Sequence, residues 1–263
     1  MNATETTPLH MVQLGLDARG LTTLGKMLHL PLDRTDTGYL VHCALGELFG
    51  DDAPQPFSIE GDSQNGRQVR ILGYTAADAD TLQSHAQLDA SPTVYDIGDW
   101  DGLAAKPMPQ TFPEDMALQF ELRACPVVRK ASAGEGVNQQ GKKRTWDEGD
   151  ELDAYLAEAW TRPADDDVSR EQVYRDWLRR QFEIRGGAKP QSIGMDRFSI
   201  ERMTRRVPKT GTGTRKADTL KRPDVTLTGT LQVTDGDAFV DLLRSGLGRH
   251  KSFGYGMLKV RRA

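Results

Sequence analysis

The sequence predicts an α+β chain built as two similar halves, and three observations carry that expectation. Apolar and polar residues alternate at 9–16, 56–61, 67–75 and 116–128, the period of strands with one buried face. Helical spacing separates these runs, with Leu40, Ala44, Leu45 and Leu48 on one face of the first helix. A similar succession of helical and alternating runs returns after residue 168. At 263 residues the chain has room for two units of roughly 100–150 residues each.

Taken in order, 9–16 reads as a strand and 22–38 as a linker. A helix at 38–50 follows, with Gly50 as its stop. Residues 56–61 and 67–75 flank the turn Asp-Ser-Gln-Asn-Gly and form a hairpin. A helix over 75–87 and a strand over 116–128 complete a βαββαβ order, while 87–113 shows no pattern. That order is the ferredoxin-like arrangement, also used by RNA-recognition modules. In the second half, helices are expected at 149–162 and 168–182. The latter starts at Ser169, with Gln172 three residues on as a capping box. Strands at 197–207 and 225–234 surround a Gly/Thr/Lys tip and form a basic β-hairpin. A helix with an Asp start (235–248) and a strand (257–262) close the chain. The expected architecture is two tandem ferredoxin-like (βαββαβ, RRM-like) domains, 1–117 and 118–263.

Composition narrows the function classes. Apolar residues make up 37% of the chain and charged residues 27%, and no run approaches the roughly 20 apolar residues of a membrane span. The first residues lack the basic and apolar regions of a secretory signal. Two cysteines, Cys43 and Cys125, make no disulfide framework, and no Cys/His cluster matches a zinc site. A cytoplasmic protein with no metal and no cofactor is expected. Charge is unevenly placed: residues 191–263 carry 15 Lys and Arg against 7 Asp and Glu, the rest 19 against 31. A basic third on an acidic body fits a polyanion partner. Between 202 and 222 stand eight basic residues and one acid, Asp218. Arg202, Arg205, Arg206, Arg215, Lys221 and Arg222 are the candidate RNA contacts there. A-form RNA buries its base edges in a deep, narrow groove, which leaves a basic ribbon the phosphates to grip.

Chemistry concentrates in two places. Gly246, Gly248, Gly254 and Gly256 punctuate a helix-to-strand connection with Arg249, His250 and Lys251 at its centre. Glycines permit close backbone approach, and successive amides can bind an anion. The loop follows a helix rather than opening one, which excludes the dinucleotide and P-loop readings. Tyr39 and His42 stand three apart on the first predicted helix, so both can face one ligand. Histidine suits proton transfer at neutral pH.

The residues 224–260, with Gly246, Gly248, Lys251, Gly254, Gly256, Met257 and Leu258 in the pattern GxGxxKxxGxGLL, closely resemble the C-terminus of the RAMP proteins. Within these the chain is most similar to the CasE-type (subtype I-E) CRISPR repeat endoribonucleases. The run 120–130 resembles that family's FxLRANPxK strand, which opens its second domain, with Cys125 in place of the usual asparagine. Tyr39-Leu-Val-His42 is similar to its active-site helix. The resemblance implies metal-independent cleavage of CRISPR repeat RNA 3′ of a stem-loop, leaving a 2′,3′-cyclic phosphate. It further implies that the crRNA stays bound within Cascade, beside backbone and Cas5-like subunits. The catalytic candidates are then His42 and Tyr39, with Lys209 or Lys216 at the hairpin tip as the third participant and Lys26 as a weaker choice. Gly248, Arg249, His250 and Lys251 join the RNA-binding set. His29 is a further candidate for lining the cleft, whereas His10 and His85 are ordinary positions.

Two alternatives stay open: a catalytically silent crRNA-binding subunit of such a complex, and a general RNA-recognition protein. The second lacks an RNP-type aromatic run. The acidic cluster at 147–167, with Asp147, Glu148, Asp150, Glu151 and Asp153 at its head, reads as a solvated or protein-docking face rather than a metal site.

Overall fold

The structure, a computed structural model, describes residues 7–61, 66–137, 141, 143–162, 168–207 and 216–263; within 205–207 and 216–219 it describes the backbone alone. The first half runs through β1 (His10–Asp17), α1 (Ala18–Met27), α2 (Thr37–Phe49), β2 (Phe57–Glu60), β3 (Gln68–Thr75), α3 (Ala79–Asp89), α4 (Pro92–Tyr95) and β4 (Gly98–Pro107). Its strands form an antiparallel sheet of order β2-β3-β1-β4. Side chains of Asp17, Asp36 and Asp78 cap α1, α2 and α3 by accepting first-turn amides. Val12, Leu14 and Leu16 of β1 meet Leu45, Leu48 and Phe49 of α2 in one core.

The second half begins with β5 (Ala117–Ala124) and then an insertion. This insertion comprises β6 (Val127–Arg129), β7 (Gly134–Val137), β8 (Lys143–Trp146), β9 (Glu151–Asp153) and α5 (Ala154–Ala159). There follow α6 (Arg170–Arg185), β10 (Ala188–Val207), β11 (Lys216–Val233), α7 (Gly236–Ser245) and β12 (Leu258–Arg262). The sheet order is β10-β11-β5-β12, again antiparallel. Phe120, Phe182 and Phe239 anchor the second core between this sheet and α6 and α7. Both halves therefore have the ferredoxin-like βαββαβ order. Among the described residues, no helix is long and apolar enough to cross a membrane.

Three expectations are corrected. The strand predicted over 116–128 opens the second sheet as β5 instead of closing the first. The first sheet closes with β4, inside the stretch that showed no pattern. β4 is an edge strand with none of its residues fully buried, so it carries no alternating apolar signature. The predicted linker contains α1, whose buried face is only Leu21, Leu24 and Gly25. The helix expected at 149–162 starts as β9 and becomes helical at Ala154, where Asp153 caps it.

The halves are joined through buried contacts as well as charge. Leu9 and Tyr74 of the first half belong to the second core. Tyr74 donates its hydroxyl to the carbonyl of Leu258 at 3.0 Å, and its phenol pKa is pushed up by burial. Lys259 Nζ bridges Glu60 of the first half at 2.8 Å and Glu121 of the second at 2.5 Å. Tyr74→Phe removes one buried hydrogen bond and strands the Leu258 carbonyl's second lone pair. It should cost about 1 kcal/mol and lower Tm by about 2–4 °C in a thermal melt; an unchanged Tm would mean this bond contributes nothing to the joint.

Candidate active site

Helix α2 exists because Asp36 caps it, Gly50 ends it and Val41, Ala44, Leu45 and Leu48 bury one face in the first core. Tyr39 and His42 lie on the side turned to the second half. There they meet Phe253, which follows in sequence by more than 200 positions. Tyr39 stacks on the Phe253 ring at 5.8 Å between centroids and 13° between planes. His42 meets the same ring edge-on at 5.2 Å and Tyr39 at 6.0 Å. The approach is close enough that a Cβ on Gly38 would sit 2.5 Å from the Phe253 carbonyl oxygen. Any side chain at 38 would push the two halves apart. His42 is half-buried, and burial lowers its pKa below the usual 6.5, so the imidazole is neutral at pH 7.

Phe253 is held by a loop whose shape depends on Glu151. That carboxylate comes from β9, and its side chain is only 5% exposed. It accepts from Arg249 Nε at 2.5 Å and from Arg222 at 3.4 Å, and His250 Nε2 lies 3.0 Å away. The His250 contact, with Arg249, outweighs burial and pushes the Glu151 pKa down to about 2. His250 itself sits at φ 62°, a left-handed conformation that a non-glycine residue adopts only when its surroundings hold it there. From that position its carbonyl accepts the Phe253 amide at 2.9 Å and closes a single 3₁₀ turn, Lys251–Phe253.

A cleft of about 720 Å³ opens beside Phe253, between the α1–α2 loop, the end of β2 and the strand residues Ile200 to Met203. Arg34, Arg202 and Arg123 line it. Arg123 makes three hydrogen bonds to the buried Asp224 (3.0, 3.2 and 2.7 Å) and lies 4.6 Å from the Tyr255 ring centre. Phe253 and Tyr255 form its aromatic wall, and His42 stands one ring behind that wall.

The structure brings Tyr39 and His42 together with the glycine-rich loop, and it distributes the other candidates unevenly. Arg202 is exposed at the cleft and Lys221 is exposed across the hairpin from it. Arg222, Arg249 and His250 have Glu151 as a partner within the protein. Lys251 donates to the Ser245 carbonyl at 2.6 Å, at the end of α7, and burial lowers its pKa. Gly248 has φ 77°, and a Cβ there would press on Trp177 at 2.8 Å, which makes it a packing residue first. Lys209 and Arg215 lie outside the described residues, as do the side chains of Arg205, Arg206 and Lys216. His29 and Lys26 are exposed at the end of α1, outside the cleft lining. His10 faces the Ala76 carbonyl, and His85 sits between Asp52 and Asp89.

Sequence reasoning missed Phe253 and Glu151. Phe253 carried a signal, an aromatic residue inside a run of glycines, that passed as part of the loop. Glu151 carried none, because it was hidden in the acidic cluster read as solvated. Two of that cluster's members are buried: Glu151, and Asp153, which binds Arg170 at 2.8 Å and the Tyr174 hydroxyl at 2.9 Å. Cys125 packs with Val127, Met203 and Tyr255, and burial raises its thiol pKa. Among the described residues, no group of three His, Cys, Asp or Glu side chains is arranged to hold a metal ion.

Comparison with known proteins bears on the family and the fold. The family described as CRISPR associated protein matches residues 9–262. Among solved structures, the CRISPR endoribonuclease Cse3 bound to 19 nt RNA superposes with a TM-score of 0.55 at 18% identity, covering 96% of this chain and 99% of that one. Cse3 of Thermus thermophilus, bound to an RNA representing a pre-cleavage complex, gives 0.54 at 18% identity, with 97% and 99% covered. Cas6e from Escherichia coli str. K-12 gives 0.52 at 18% identity, with 97% and 100% covered. These likenesses share the fold. No curated protein matches the sequence.

The Glu151 contacts carry a pH signature. Its folded pKa lies near about 2 against an ordinary 4.5. Their stabilisation is therefore fully present above about 4.5 and is lost as pH falls from there towards about 2. Glu151→Gln should lower Tm by several degrees near neutral pH, with the gap to wild type narrowing in acid as the native carboxylate protonates. Thermal melts across that range check this; a gap independent of pH would mean that the charge of Glu151 is not what holds the loop.

Proposed function

The chain belongs to the CRISPR-associated protein family, whose pattern it carries over residues 9–262, and on that premise we propose that it is a CRISPR repeat endoribonuclease. In this reading it binds the stem-loop of the repeat, cleaves at the 3′ base of the stem, and keeps the mature crRNA as a subunit of Cascade. The observation that carries it is the seating of His42 and Tyr39 against Phe253, beside a cleft that Arg34, Arg123 and Arg202 line together with Asp33, Asp36, Glu60 and Glu201.

The chemistry follows from these groups. A neutral His42 accepts the proton of the ribose 2′-OH, whose oxygen attacks the adjacent phosphorus as the bond to the 5′-oxygen breaks; the leaving oxygen takes up a proton from solvent, and the imidazolium later returns its proton to water. The products are a 2′,3′-cyclic phosphate and a 5′-OH. A cation must balance the charge that builds on the phosphorane oxygens; Lys209 and Lys216 are the candidates, carried by the hairpin that also brings Arg205 and Arg206. Tyr39 holds the aromatic wall that orients the imidazole. In this scheme protons move between side chains and RNA, so no metal ion takes part.

Cleavage of a repeat stem-loop tests the reading. His42→Ala should slow it by about 10²–10⁴ with stem-loop affinity unchanged, and EDTA should leave the wild-type rate intact. The rate should fall in acid through a pKa below 6.5, because burial lowers that of His42 and the base must be neutral. A wild-type protein that binds the stem-loop without cutting it is the silent subunit instead, and a chelator-sensitive rate would overturn the metal-free scheme.

A second measurement concerns the hairpin. Each phosphate neutralised by an arginine releases counterions, so Arg205→Ala with Arg206→Ala should flatten the plot of log affinity against log salt by up to about one unit per lost contact. Arg179 and Arg180, exposed on α6, provide the control. Should their replacement flatten the slope and the hairpin change leave it alone, the RNA lies on the other face.

A further inference from the structure

The strand pair β10–β11 is longer than its sheet. β5 pairs with β11 only from Val225 to Gln232, so the nine pairs from Ser199↔Asp224 to Val207↔Lys216 form a two-stranded arm. An isolated two-stranded ribbon is marginal in water, and this one needs support from elsewhere. On one side Arg222 reaches Glu151. On the other, the support comes from the first half and converges on Asp36.

Because β10 is the edge of its sheet, the amide of Thr204 points away from β11 and has no ladder partner. Asp36 Oδ2 accepts it at 2.7 Å. The Thr204 hydroxyl donates to the Arg34 carbonyl at 2.8 Å, and Thr204 is fully buried. The other oxygen of the same carboxylate, Oδ1, accepts the Tyr39 amide at 3.0 Å and caps α2. One side chain therefore ties the arm to the first turn of the helix that presents Tyr39 and His42.

We infer that Asp36 is a positioning residue that fixes His42 relative to RNA held on the arm; this rests on the function proposed above. Its two oxygens separate the roles. Asparagine caps helices as well as aspartate does, so Asp36→Asn keeps the bond to Tyr39. Its amide nitrogen then faces the Thr204 N–H, donor against donor, and the strap opens. Thr204→Val opens the strap from the other side by removing the hydroxyl that holds the Arg34 carbonyl.

Single-turnover cleavage of the repeat stem-loop by wild type, Asp36→Asn and Thr204→Val is the test. Affinity is measured on RNA bearing a 2′-deoxy group at the scissile nucleotide, and a melt accompanies each variant. Asp36→Asn should cut the rate about ten- to a hundredfold, the effect of small misplacement, with affinity unchanged and Tm lowered only by the few degrees that one lost buried hydrogen bond costs, so that the protein stays folded at the assay temperature; Thr204→Val should follow in the same direction. Full rates in both variants would overturn the inference. So would a loss of affinity equal to the loss of rate, since the strap would then serve RNA binding alone, or a fall in Tm that accounts for the lost activity. An inactive wild-type protein would sink the proposed function and this inference together, whereas a wild-type rate in Asp36→Asn sinks the inference alone.

Discussion

Taking the carboxylate of Glu151 out of water is unfavourable unless cations surround it, and the geometry of the candidate site follows from how the chain meets that demand. Arg222 arrives from the hairpin, and Arg249 and His250 from the glycine-rich loop. Bringing the last two in forces His250 into a left-handed conformation. That turn aims Phe253 at α2, and Gly38 leaves room for it to arrive. The aromatic contacts of Tyr39 and His42 are thus the last link of a chain that starts at a buried charge in a small insertion strand.

The same demand shapes the electrostatics. Much of the basic charge near the site is satisfied inside the protein: Arg222 and Arg249 by Glu151, Arg123 by Asp224, Arg170 by Asp153. Arg34 and Arg202 are exposed at the cleft, and Lys221 is exposed beside it. A charge run read along the chain therefore overstates the cation available to a polyanion, because the strand turns Arg222 inward to Glu151. An acidic first half beneath a basic arm still restricts where an anionic ligand settles.

Much of the fold was legible because its signals are local. Ser169 caps α6, Asp235 caps α7, and the strands around Leu14, Ile71 and Leu227 alternate because one face of each sheet is buried. β4 and α1 were illegible for the opposite reason, as an edge strand and a short helix that bury little. The assignment of 117–124 could not be read from its pattern at all. Alternation says that a strand has a buried face, and it is silent on which sheet that face joins; only the resemblance of 120–130 to a domain-opening strand pointed the right way.

His42, Tyr39 and the glycine-rich loop stood out in the sequence by residue type and spacing. So did the ferredoxin-like character of the chain, though not which strand closes its first half, and the basic character of 202–222. Those are properties of neighbouring residues, set by helix period, strand period and the conformations glycine permits. The meeting of His42 with Phe253, the burial of Glu151 among two arginines and a histidine and the bridging of Thr204 to Tyr39 by Asp36 were decided by tertiary structure alone. Each joins residues that lie tens to hundreds of positions apart, and no local period records which distant charge or ring will share a site once two cores have packed against each other.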